Sequence, residues 1–89
     1  MINSKENAVE WAQLLFEQGD AHEHLGDLIK EMSSRGEIDT EAYAVDMAHM
    51  FAHLNRAWNS RNLVGEITDE NHEKYSCYPC DLEPLASKI

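Results

Sequence analysis

The chain has 89 residues, 43% of them hydrophobic, with two Trp, three Tyr and two Phe. That suits one folded domain with a thin core and argues against global disorder. Seventeen acidic against seven basic residues leave a net charge of −10. Such a surface repels phosphate, which excludes nucleic acid and anionic membranes as natural partners. It is compatible with a basic protein partner, with mimicry of nucleic-acid charge, or simply with solubility.

No charged start leads into an apolar run, and no uninterrupted apolar stretch approaches the roughly 18 residues of a membrane span. A cytoplasmic protein is therefore expected.

Met1 to Asn3 reads as a frayed end and Ser4 as an N-cap, opening a helix over about residues 5–34. Trp11, Leu14, Leu15, Gln18, His22, Leu25, Leu28, Ile29 and Met32 share one helical stripe. Gly19-Asp20 interrupts it, and Asp20 with Glu23 has capping-box spacing, so a kink or break at 19–20 is the competing reading. The stripe keeps its phase across the glycine, which favours one long helix.

Residues 35–38 form the turn, with Gly36 suited to a left-handed C-cap. Asp39 then caps a second helix over about 40–62, with Ile38 and Tyr43 at the positions of a hydrophobic staple. Its stripe runs through Tyr43, Met47, Met50, Leu54, Ala57 and Trp58. The short connection predicts an all-α fold, a long antiparallel helical hairpin.

Residues 63–89 read as an irregular tail with a short helix at about 69–75. In that tail Tyr75, Tyr78, Leu82 and Leu85 are available to pack on the hairpin. The whole chain, 1–89, is expected to be a single domain.

Val9, Ala12 and Phe16 lie on the side of the first helix opposite its main stripe. An isolated hairpin leaves Phe16 in water, so a homodimer completing a four-helix bundle is expected. Arg56 and Trp58, in a cluster with Asn55, Asn59, Arg61 and Asn62, have the composition of a protein interface and equally that of a seat for the tail.

Three constellations bear on chemistry. His49 and His53 stand four apart on the second helix, with Asp46 three residues earlier on the same flank. Folding the chain about residues 36–37 sets His24 level with His49 and Asp20 level with His53. His24, Asp46, His49 and His53 therefore form a candidate edge for zinc or another divalent metal. Helix-surface histidines facing water are the ordinary alternative, and no HExxH supplies a base.

Glu17, Asp20, Glu23 and Asp27, facing Asp46, form a second candidate, a carboxylate set for Mg²⁺. Glu17 and Asp20 resemble half of the paired ExxE and ExxD motifs of the MazG-type nucleoside-triphosphate pyrophosphohydrolases. That resemblance implies a metal-dependent phosphohydrolase, but Glu41 and Asp46 stand five apart and do not complete the pattern. It assigns the chain to no family.

The third is Cys77-Tyr78-Pro79-Cys80, which looks like a thioredoxin-type motif without the surrounding strands that chemistry needs. With His72 the two thiols form an alternative zinc set, of which one CxxC supplies half. Taken together, the residues point to a small acidic interaction or regulatory protein without enzymatic activity or cofactor. A divalent-metal protein, in its sharpest form a phosphohydrolase, is the alternative.

Overall fold

In the computed structural model, which describes residues 1–85, the chain is mostly helical, and no strand occurs among the described residues. Three helices follow in order: α1 (Ala8–Arg35), α2 (Thr40–Asn59) and α3 (His72–Ser76). The two long ones pack against each other as an antiparallel hairpin, and α3 rests on α2. At 1.5 Å per residue α1 is about 42 Å long and α2 about 30 Å. No described helix is long and apolar enough to cross a membrane.

α1 runs unbroken through Gly19. A Cβ at that position would meet nothing within 4 Å, so the glycine serves no close approach and costs only its intrinsic helix propensity. The helix begins later than its pattern suggests. Asn3, rather than Ser4, organises the entry: its Oδ1 accepts the backbone N–H of Lys5 at 3.0 Å and of Glu6 at 2.9 Å. Residues 4–6 are thereby spent on a turn before the helix starts.

Gly36 ends α1 in the left-handed conformation, φ 69°, and returns its N–H to the Met32 carbonyl. Asp39 then caps α2 through its side chain, which accepts the Ala42 N–H at 2.9 Å. α2 ends at Asn59, where the Ser60 N–H and hydroxyl both donate to the Arg56 carbonyl, at 3.0 and 2.6 Å, and the chain turns through Arg61 and Asn62. Beyond it, Thr68 and Asn71 exchange side-chain-to-backbone hydrogen bonds and hold the turn that enters α3.

Asn55 and Asn59 of α2 prove to be a seat of the tail. Asn55 donates to the Ser76 carbonyl, and Asn59 donates to the carbonyls of Tyr75 and Cys77. Further on, the Tyr78 ring lies 5.6 Å from that of Phe51. Asp81 accepts from the Trp58 indole and from Arg61, whose guanidinium stacks 3.8 Å over the Trp58 ring. These contacts hold the Asp81 carboxyl below its ordinary value: the Trp58 hydrogen bond lowers it most, desolvation opposes that, and Arg61 adds a further lowering. Leu85 is 90% exposed and adds nothing to the packing.

The core is thin. Ile2, Leu14 and Ala57 meet at the open end of the hairpin with Trp11 against them. Ile2 is anchored there by its N–H to the Arg61 carbonyl, so Met1–Asn3 is not a frayed end. Among the described residues Ala21, Leu28 and Met50 are the other buried apolar ones, and no described side chain falls below 2% exposure. Much of the buried contact between α1 and α2 is instead polar: Glu17, His53 and Arg56 are all at least nine-tenths buried.

Candidate metal centre

Midway along the hairpin, on one flank, Asp20 and His24 from α1 meet His49 and His53 from α2. One ligand atom from each lies within 4.8 Å of all the others, the only such group of three or more potential ligands among the described residues. The placement follows from register. Glu17 with Arg56, Asp20 with His53, and His24 with His49 are each level about the turn at 36–37, and spacings of three and four keep them on one flank of each helix.

His53 is the anchor, 6% exposed. Its Nδ1 lies 2.6 Å from Glu17 Oε2, while Arg56 Nε donates to Glu17 Oε1 at 3.0 Å. Arg56 is fixed in turn by the Ser76 hydroxyl at 2.8 Å. A second contact, Arg56 Nη2 to His53 Nδ1 at 3.0 Å, competes for the same ring nitrogen. The shorter, charge-assisted approach of the carboxylate decides it: the proton sits on Nδ1 and is donated to Glu17.

That tautomer leaves the His53 Nε2 lone pair pointing at Asp20 Oδ2, 2.7 Å away, and at His49 Nε2, 2.9 Å away. A lone pair facing a carboxylate oxygen at that range is repulsive unless something positive lies between them. Two things can: a second ring proton, making His53 an imidazolium held by Glu17 and Asp20, or a metal ion.

The surroundings suit a metal. Zinc bonds of about 2.0–2.1 Å place neighbouring tetrahedral donors about 3.4 Å apart. The short pairs would have to separate slightly and the widest, at up to 4.8 Å, to close by more than 1 Å, adjustments within the reach of side-chain rotation. His24 Nε2 is 3.7 Å from Asp20 Oδ1, and its ring centroid is 4.4 Å from that of His49. Three imidazoles and one carboxylate form a donor set for Zn²⁺ or another late first-row divalent ion, and would suit Mg²⁺ poorly. Glu17 gives His53 the carboxylate partner that metal-bound histidines nearly always have.

Of the four expected ligands, His24, His49 and His53 come together, and Asp46 does not join them. Asp46 lies seven residues from His53, about 10 Å along the axis of α2. It lines instead a small cleft beside His24, Asp27, Glu31 and His49. Asp20, directly opposite His53, stands in its place. Glu17 and Asp20 are thus committed to histidines, and Glu23 and Asp27 are exposed, so the acids gather no ligand group of their own.

The other candidates fare differently. Cys77 and Cys80 are free and exposed, and His72 lines a separate cavity with Glu10, Glu17 and Arg56, so these three do not converge. Val9, Ala12 and Phe16 are exposed, Phe16 by 61%. Arg56 is buried in the pair with Glu17 and has no surface to offer an interface, and half-buried Trp58 is engaged by Asp81 and Arg61. Compared with known protein families, curated proteins and solved structures, the chain matches none.

Proposed function

We propose that this is a divalent-metal-binding helical protein whose centre is Asp20, His24, His49 and His53, with zinc or a neighbouring transition metal as its ion. The observation that carries the reading is the buried His53, its Nδ1 on the Glu17–Arg56 pair and its Nε2 against Asp20 and His49, with His24 completing the group. Two ligands come from each helix, so the ion would clamp α1 to α2 where the apolar core is sparse. A structural or regulatory role follows more naturally than hydrolysis of a phosphate. The nearest cation, Arg56, is turned to Glu17 and Ser76, and Asp27, Glu31 and Asp46 line the adjoining cleft.

The same proposal includes a homodimer, in which two hairpins complete a four-helix bundle in the cytoplasm. A thin core and a run of exposed large apolar side chains support it.

Native mass spectrometry of the untagged protein, purified without chelator and then titrated with Zn²⁺, tests the metal reading. The expected result is one ion per chain, lost in His49→Ala/His53→Ala. A double variant that takes up zinc with unchanged affinity would overturn the ligand assignment.

A further inference from the structure

The flank of the hairpin opposite the four-ligand cluster is mostly apolar on both helices, with Gln18 and His22 the polar members of its α1 stripe. Leu15, Leu25 and Ile29 of α1 are 53%, 44% and 54% exposed, and Tyr43 and Leu54 of α2 are 39% and 46% exposed, with Met47 half-buried between them. The two sets share one face: Gln18 of α1 and Leu54 and Trp58 of α2 line the same groove, floored by Leu14 and Ala57. In α1 the stripe advances by alternating steps of four and three from Leu15 to Met32, the spacing that presents a straight seam to another helix.

We infer that a second copy of this chain docks on this face, Leu25 and Ile29 of each hairpin at its centre, so that the dimer seam lies on the far side from both metal centres. This names the surface of the dimer proposed above and does not depend on the metal. Surface area is the first argument. The chain exposes 7039 Å², whereas a compact monomer of 10.2 kDa would expose about 5,300 Å². The excess is about twice the roughly 800 Å² that each partner buries in a standard-size complex.

Charge is the second. The α1 stripe from Trp11 to Met32 contains no Asp, Glu, Lys or Arg, and His22 is its single titratable residue, although the chain carries −10. The acids of α1 lie on its other faces, so two like-charged copies can meet here without repulsion. A basic partner would be drawn to those acidic faces and gain nothing from this one, whose charged neighbour, Arg61, is itself basic. Among the described residues the tail borders this face only at Leu54 and Trp58, where Tyr78 and Leu82 line a cavity with them, and it leaves Leu15, Leu25 and Ile29 of α1 open.

The placement moves the seam away from Phe16, which lies on a different face of α1. Sedimentation equilibrium on the full chain separates the two. Wild type is expected to be a dimer, Leu25→Glu/Ile29→Glu a monomer with unchanged far-UV circular dichroism, and Phe16→Glu still a dimer. Should the double variant lose its helical signal, Leu54→Glu on the other helix is read in the same way. A wild-type monomer at every concentration, or variants on this face that remain dimeric, would overturn the proposal. Dissociation by Phe16→Glu alone would do the same. Zinc uptake measured on the same samples keeps the failures apart: a monomer that still binds one ion leaves the metal centre standing, and a dimer that binds none leaves the seam standing.

Discussion

Two groups of residues in this chain have the chemistry of zinc ligands, and the molecule treats them in opposite ways. Asp20, His24, His49 and His53 sit on the two long helices, mid-span, where register brings one turn of each level with the other. His72, Cys77 and Cys80 sit on a five-residue helix and the irregular chain after it, all exposed. Cysteine is the better zinc ligand, so composition alone favours the tail. Geometry favours the histidines, because rigid elements hold four donors together and a buried Glu17–Arg56 pair aims the central one. The lesson is that a ligand set is made by its supports as much as by its donors.

The supports therefore offer the sharpest way to break the difference. Arg56→Ala leaves Glu17 buried beside His53 without its cation and frees Ser76. It should cost about 3 kcal/mol or more, the range for breaking a buried pair, read as a lowered urea midpoint. A loss well under 1 kcal/mol would mean the pair is not the structural heart of the hairpin. Glu17→Gln keeps the size and the hydrogen-bonding oxygen but removes the charge that orients His53. Zinc affinity by competition titration should fall by about ten- to a hundred-fold, as for other partners of metal-bound histidine, while the fold is retained.

The tail carries the smaller expectations. Asp81 is held below its ordinary value by Trp58 and Arg61, so its tether is complete above the ordinary carboxylate value. The tether is lost as pH falls through the lowered one, below about 4. Trp58 emission should shift in that acid range in wild type and lose the shift in Asp81→Asn; an identical titration in both would separate the fluorescence change from this contact. Smallest of all, Cys77→Ser/Cys80→Ser should leave zinc stoichiometry and affinity unchanged, and a lost ion would move the centre to the tail.

Much of the hairpin was legible from local chemistry. Asp39 as a cap, Gly36 as a stop and the in-phase stripe across Gly19 each have a structural counterpart. What escaped prediction depended on side chains competing for backbone groups. α2 ends three residues before its pattern does, with the Ser60 hydroxyl folded back beside its own N–H on the Arg56 carbonyl, and Asn3 displaces Ser4 at the entry to α1. The site was half legible. Folding the chain about 36–37 pairs His24 with His49 and Asp20 with His53, yet neighbourhood along α2 pointed to Asp46. The same pairing sets Glu17 level with Arg56, a cross-helix ion pair that register could have disclosed and periodicity alone could not. Asn55 and Asn59 were visible in a cluster suited to seating the tail, but their partners are backbone carbonyls, which carry no signature in the sequence.

X-ray absorption at the zinc edge, on protein loaded with one equivalent of metal, separates the two ligand groups by bond length. Zinc–nitrogen and zinc–oxygen bonds lie at about 2.0–2.2 Å and zinc–sulfur at about 2.3 Å. A centre between α1 and α2 requires a shell of nitrogen and oxygen alone, with the multiple scattering of three imidazoles. A sulfur shell would place the ion on Cys77 and Cys80 and contradict the assignment to Asp20, His24, His49 and His53.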